Sequence, residues 1–433
     1  MRDFDFSIKS LDLKNYRRFK SLHIVFDDYL NVIVGNNGVG KTTLLNACAV
    51  AASSLLAKVE NAQSLSIRRA DARCIAVQTG SVTVRQGQYP VEIEAMGSLN
   101  LHPYCWSREL LSGKSKMTRK QAQSIIAAGY ELQQRVSAGE DVVLPILAYY
   151  DANRFASRNT AIPLSNVSGS FLASRTKAYS DAFGVQINEA QTLTWMRNMT
   201  LWELQSGSKS PELACVTRVL SNCFSSASKA NNVSAYFDLQ LQDIAVKFKN
   251  EAGDVVIETT SSMSDGYRSA VLMFADIARR MAQLNPQLGE NACHAPGIIM
   301  IDEIDLHLHP RWQARILGDL RLAFPSVQFI VTTHAPIVIS SVEARALRIL
   351  SSNGVAQQGV ETYGGNIARI LKTVMGVDER PEKVQEHFNN FYKKLDAEKY
   401  DDAEAELDSL TSLIGSSDTE LVAARTALFL ERP

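Results

Sequence analysis

The chain has 433 residues, of which 45% are hydrophobic and 21% charged, and a formal net charge of −1. This is the composition of a globular protein, and it excludes a global basic field for nucleic acid while leaving a local patch open. There is no run of 18 apolar residues, the six cysteines form no C-x-x-C pair, and the opening Met1-Arg2-Asp3-Phe4 lacks an apolar signal core; these features exclude a membrane-spanning helix and a zinc ribbon and predict reduced thiols in the cytoplasm.

Residues 1–60 read as the first strands, a phosphate-binding loop and its helix. Leu30-Asn31-Val32-Ile33-Val34 is a short β-branched run, as expected of a buried strand. It leads into Gly35-Asn36-Asn37-Gly38-Val39-Gly40-Lys41-Thr42, and Thr43 opens a stretch with helical spacing of apolar residues. The loop satisfies G-x-x-x-x-G-K-[ST] in the strand–loop–helix context that motif requires. Gly35, Gly38 and Gly40 let backbone N–H groups turn inward around a polyphosphate, and the helix N-terminus adds partial positive charge. Lys41 would reach the β- and γ-phosphates, and the Thr42 hydroxyl would ligate Mg²⁺.

From 61 to 100 the pattern predicts antiparallel strands, with Val82-Thr83-Val84 and Val91-Glu92-Ile93-Glu94 as their clearest segments. Residues 101–140 read as polar and loop-rich, then helical over 118–136. Lys114, Lys116, Arg119 and Lys120 there read as a solvated face. A strand over 144–150 leads to Asp151, Asn153 and Arg154. The spacing predicts helices at 193–204 and 211–224, with Trp195 and Trp202 in the core. Lys41 and Ser264 lie 223 residues apart (264 − 41), yet no heptad pattern fills the interval, so 151–235 is expected to be a compact helical lid rather than a coiled-coil arm. Strands return at 235–241, 244–249 and 255–259.

Ser264 and Gly266 precede the apolar helical pattern of Ala270, Val271, Leu272, Phe274 and Ala275. They form a helix N-terminus suited to an anion. Pro296-Gly297 is a turn, and Ile298-Ile299-Met300-Ile301 a continuous apolar strand of the kind found in covered parallel sheets. At its C-terminal end Asp302 would hold Mg²⁺ through water, and Glu303 would orient or deprotonate the attacking water. A helix over 311–324 and a strand over 327–331 complete a βαβ step, and His334 follows that strand, where it would reach the γ-phosphate or the lytic water. Asp302, Asp305, His307 and His309 also invite a metal-site reading, but the acidic strand and its loop already account for them. The head is expected to close near 350. Beyond it the spacing predicts helices at 366–375, 381–395, 400–413 and 421–430, with a solvated acidic stretch from Asp396 to Glu406.

In their order, Gly35–Thr42, Ser264-Asp265-Gly266-Tyr267, Ile301-Asp302-Glu303-Ile304-Asp305 and Thr333-His334 resemble the motifs of ABC-type ATPase heads. Leu13-Lys14-Asn15-Tyr16-Arg17-Arg18-Phe19 and Glu303-Ile304-Asp305-Leu306-His307-Leu308-His309-Pro310 resemble the SMC/RecF-like, AAA_21 branch. Leu144-Pro145-Ile146-Leu147-Ala148-Tyr149-Tyr150 and Thr362-Tyr363-Gly364-Gly365-Asn366 are similar to the PtuA-type ATPases of Septu and certain retron anti-phage systems. The resemblance covers nearly the whole chain. It implies an α/β fold: a P-loop ABC-ATPase head with a mixed sheet, an antiparallel β-subdomain, a helical lid insertion and a C-terminal helical appendage. The expected division is 1–150 and 236–350 for the head, 151–235 for the lid and 355–433 for an assembly or partner module.

By the same resemblance Ser264 and Gly266 would contact the γ-phosphate held by an opposite protomer, Asp305 would communicate across the dimer, and His334 would be the switch histidine. Arg17 would contact nucleotide, with Arg18 as the alternative. Asn36, Asn37, Val39 and Thr43 complete the nucleotide loop. The signature carries Asp265 where glycine is usual, which argues against a transporter subunit, and the lid-linking glutamine has no match, Gln78 lying too early. The implied protein is a slow ATPase using ATP and Mg²⁺. It would dimerise or form a higher homo-oligomer around ATP and control an HNH nuclease (PtuB-like), with a retron reverse transcriptase and its msDNA as further implied partners. The alternative is a RecF-like DNA-binding repair ATPase, so DNA stays open as a direct partner.

Overall fold

The computed structural model describes residues 6–79, 82–154, 175–184, 187–228, 231–250, 252–351, 356–358, 360–377 and 380–432. The chain divides into two compact units, Met1–Ile367 and Ala368–Pro433. The expected start of the last module, 355, lies outside the described residues.

The larger unit is built on a six-stranded sheet. Its order is Ala356–Gln358, Leu347–Leu350, Leu30–Val34, Val327–Thr332, Gly297–Ile301 and Ile146–Tyr150. All neighbours are parallel except the first pair. Leu30–Val34, Gly297–Ile301, Val327–Thr332 and Ile146–Tyr150 are buried at every position. This is why they read as largely apolar runs rather than alternating ones, with Asn31, Gln328 and Thr332 polar but buried. In-register parallel pairing brings their C-terminal ends to a single edge: Ile301 pairs with Val331 and with Tyr150, and Thr332 with Ile33.

A four-stranded antiparallel sheet has the order Phe19–Val25, Phe6–Tyr16, Val91–Leu99, His102–Leu110. Here the sequence expectation is corrected, because His102–Leu110 is a strand and not a polar loop. It pairs along its whole length with Val91–Leu99. The polar groups at its centre misled because they are buried with partners: Arg108 donates to Ser54 Oγ at 2.9 Å and to the Leu65 carbonyl at 3.0 Å, and Trp106 Nε1 donates to the Ala51 carbonyl at 3.0 Å. Cys74–Thr79 and Val82–Gly87 form a separate hairpin. Asn231–Asp238, Asp243–Lys249 and Val255–Thr259 form the expected meander.

The helices Glu189–Ser206, Pro211–Ser228 and Asp265–Leu284 pack on one another, and Pro211–Ser228 also packs on the strand Asn231–Asp238. Trp195 and Trp202 are half-buried, so they rim the packing rather than fill it. The expected lid falls partly on residues 155–174, outside the described residues. The expected crossover helix over 311–324 is instead two helices, Pro310–Gln313 and Ile316–Ala323, because Arg315 leaves helical geometry with φ −123°. No described helix is long and apolar enough to cross a membrane.

The smaller unit contains Glu382–Asp396, Tyr400–Ile414 and Thr419–Glu431 around a core that includes Val384, Phe388, Phe391, Leu407, Leu410 and Leu421. The acidic stretch is not wholly solvated. Glu406 accepts from Lys394 at 2.7 Å and faces His387 Nδ1 at 2.5 Å, while Arg432 bridges Asp401 and Glu404.

Candidate functional site

Parallel strands leave their last carbonyls and the residues that follow them at one sheet edge, and ligands of open α/β sheets gather there. The edge is populated from four strands. Leu30–Val34 delivers the loop Gly35–Gly40, Gly297–Ile301 delivers Asp302 and Glu303, Val327–Thr332 delivers Thr333 and His334, and Ile146–Tyr150 delivers Asp151 to Arg154.

The loop is shaped by close approach. Gly40 has φ +104°, and a Cβ there would lie 2.6 Å from both the Arg18 Cδ and the Phe19 ring, so only glycine fits. Gly40 caps the helix Lys41–Ala52 without a side-chain hydrogen bond, and no acidic residue occupies the first turn. The first-turn N–H groups therefore face the loop with no anion from the chain itself. Asn36, Asn37, Gly38 and Thr42 are exposed, Thr43 is half-buried and Val39 is buried beneath the loop. Lys41 is only 6% exposed and donates to the carbonyls of Gly35 at 2.8 Å and Asn36 at 3.1 Å. Burial pulls its ammonium down to about 8, opposed by the charges of Asp302, Glu303 and Asp305. A buried cation beside an uncapped helix N-terminus is chemically fitted to a polyphosphate.

The acidic strand end is held by hydroxyls. Asp302 is buried, and its Oδ1 accepts from Thr332 Oγ1 at 2.5 Å. The same Oγ1 accepts from the Glu303 N–H at 2.8 Å. Glu303 sits at φ +47°, left-handed backbone that costs a non-glycine residue about 1–2 kcal/mol. Burial, then Asp302 and Asp305, push its carboxyl above the ordinary glutamate value, while Lys41 and Arg154 act in the opposite sense. A raised carboxyl suits a proton acceptor. Thr42 and Asp302 offer hard oxygen ligands of the type Mg²⁺ prefers.

Asp305 ties the loop after the acidic strand to the residues that follow Val327–Thr332. Its Oδ1 accepts from Thr333 Oγ1 at 2.5 Å and from the His334 N–H at 3.4 Å. Burial, then the positive charge of Lys41, hold the His334 imidazole below its ordinary value, so its neutral form is favoured at neutral pH. His309 caps a helix by accepting from the Arg311 N–H at 3.3 Å.

Other predicted residues lie elsewhere. Ser264 caps the helix Asp265–Leu284 with an unused side chain, and Gly266 approaches the next loop so closely that a Cβ would lie 2.1 Å from the His307 carbonyl oxygen. Arg17 is engaged by Asp71, through Nε at 2.9 Å and its main-chain N–H at 2.6 Å, whereas Arg18 is the arginine beside Gly40. Sequence reasoning did not assign a role to Arg154. Its guanidinium donates to the carbonyls of Asp302 at 2.6 Å and Glu303 at 3.1 Å. The only signal was an arginine four residues past a predicted strand end.

Comparison with known proteins gives several matches. A family model described as "AAA domain, putative AbiEii toxin, Type IV TA system" matches residues 116–340, and a second, "AAA domain", matches residues 10–205. The chain is 24% identical over 388 residues to "Retron Vc95 probable ATPase" of Vibrio cholerae serotype O1 biovar El Tor, covering 79% of this chain and 73% of that protein. It is 28% identical over 179 residues to "Septu protein PtuA" of Bacillus thuringiensis, covering 36% of this chain and 44% of that protein, less than half of the relative's length. The SMC head domain from Thermotoga maritima aligns with a TM-score of 0.45 and 14% identity, over 82% of this chain and 99% of that one.

Proposed function

This chain belongs to the AAA-domain family described as putative AbiEii toxin of a type IV toxin–antitoxin system and is an ATPase, and from that membership we propose that two copies close around ATP and thereby control a separate effector. The observation that carries the reading is the convergence of Lys41, Asp302, Glu303, Asp305 and His334 on one sheet edge, where their charges act on one another.

In this reading Gly35 to Thr43 cradle the phosphates and Lys41 swings from the loop carbonyls to the β- and γ-phosphates. Thr42 and Asp302 would hold Mg²⁺, which supplies neutralisation of phosphate charge. Glu303 accepts a proton from the attacking water, and neutral His334 donates to the γ-phosphate or that water. Arg18, beside Gly40, is a better candidate than Arg17 for a nucleotide contact. Ser264 and Gly266 would meet the γ-phosphate of the opposite copy. Gly266 lies against the loop that follows Asp305, so closure and the acidic strand end would move together. Hydrolysis removes the shared phosphate contact and loosens the pair.

Likeness to a retron ATPase and to a Septu protein supports a place in a retron- or Septu-type system; anti-phage defence in the cytoplasm, with an HNH nuclease as the controlled effector, is part of the same proposal. The segment 151–235 would act as lid and the C-terminal helical unit as the partner module. Glu303→Gln is expected to slow phosphate release by about 100-fold or more, to retain ATP and to run at twice the monomer mass with ATP in light scattering. Phosphate release at the parent rate would remove Glu303 as the base.

A further inference from the structure

The main chain of Glu303 is gripped on both sides. Its N–H donates to Thr332 Oγ1 at 2.8 Å, and its carbonyl accepts from Arg154 Nη2 at 3.1 Å. The neighbouring Asp302 carbonyl accepts from Arg154 Nη1 at 2.6 Å. One planar guanidinium thus spans two successive carbonyls at the point where the backbone turns left-handed, with Glu303 at φ +47°. Lysine, a point donor, cannot reproduce that double contact.

Arg154 is itself anchored. Its Nη1 also donates to the Asp151 carbonyl at 3.2 Å, and its own carbonyl accepts from the Ile187 N–H at 3.0 Å. It is 3% exposed, so it lies beneath the sheet edge rather than on it. Burial works against its charge, and Asp302, Asp305, Glu303 and Asp151 compensate. An arginine kept in so unfavourable a position, with hydrogen bonds from both of its terminal nitrogens to main-chain carbonyls, acts on geometry.

We propose that Arg154 is the positioning residue of the hydrolytic site, locking the Asp302–Glu303 main chain so that the Glu303 carboxylate meets the attacking water. The inference rests on the reading of Glu303 as base. It acts on the chemical step and leaves nucleotide binding to the phosphate loop.

The full-length chain tests this by steady-state phosphate release beside binding of a fluorescent ATP analogue. Arg154→Ala is expected to lower kcat by about 100-fold, the scale of a misplacement near 1 Å, with the analogue's Kd unchanged within about threefold. Arg154→Lys, which restores one contact, should recover about tenfold of that loss. In a Glu303→Gln background Arg154→Ala should cost nothing further, because the two act as one unit. A parent-like kcat in Arg154→Ala, a matching loss of analogue binding, or additive losses in the double variant would each overturn the proposal. Should Arg154→Ala fail to fold, a folded Arg154→Lys with full kcat overturns it equally. An impaired Glu303→Gln beside a fully active Arg154→Ala rejects the positioning role alone. A fully active Glu303→Gln rejects the base reading, and the inference with it.

Discussion

Glycines at this site are set by contact distances, not by flexibility in general. Gly266 is the sharpest case, since a single added methyl group would overlap the His307 carbonyl oxygen at 2.1 Å. That neighbour is backbone and cannot rotate away. Gly266→Ala should therefore lower stability by roughly 1–3 kcal/mol, read as a fall in thermal midpoint, and should displace the start of the helix Asp265–Leu284. An unchanged midpoint would mean that the helix start and the loop at His307 adjust freely. The sequence pointed to Lys41, Asp302, Glu303 and His334 because phosphate chemistry demands particular residue types at fixed spacing, and the structure brings them near one another. Arg154 was not legible, because its contacts depend on where the turn after Tyr150 comes to rest against carbonyls 148 and 149 residues later in the chain.

Among the elements, the helix Asp265–Leu284 has the most unusual interior. Its apolar stretch was legible from Ala270 to Ala275, but Asp276, Arg279 and Arg280 are buried with it. Asp276 accepts from Arg279 at 2.5 Å, Arg280 at 2.8 Å and the Tyr150 hydroxyl at 2.9 Å. Tyr150 ends the strand that leads to Arg154, so this network fixes the helix to the strand that feeds the site. Charged residues in a sequence read as solvated by default, which hid the network from sequence reasoning. Burial alone would raise the Asp276 carboxyl, yet Arg280 and Arg279 outweigh it and hold it well below the ordinary aspartate value. Because the folded value lies below the unfolded one, the stabilisation is complete above about pH 4 and is lost as pH falls further. Asp276→Asn leaves two buried guanidinium groups without their anion and should cost about 3–5 kcal/mol. Denaturant melts at pH 7 and pH 3 check both statements: the gap between parent and variant should narrow in acid.

On the scale of the whole molecule, the chain joins a large α/β unit to a small helical one with its own core. Phe391 is fully buried in that core. Phe391→Ala should cost the small unit about 3–5 kcal/mol. Hydrogen exchange should then accelerate across Glu382–Glu431 while amides of Asp265–Leu284 stay protected. Acceleration in both would mean that the two units unfold together. The last three helices were legible in the sequence within about two residues at each end, because each has an apolar stripe at helical period against a single small core. The strand His102–Leu110 was not, because the charge of Arg108 at its centre is satisfied by partners remote in sequence.

By itself the sequence determined the nucleotide chemistry and the strands that carry it, since apolar runs and loop motifs encode local burial and local geometry. Only the tertiary structure decided which of those strands are neighbours, which arginine stands beside Gly40, and how the Glu303 backbone is held. Those outcomes depend on pairing between segments far apart in the chain. No local pattern records which distant carbonyl a buried donor will find.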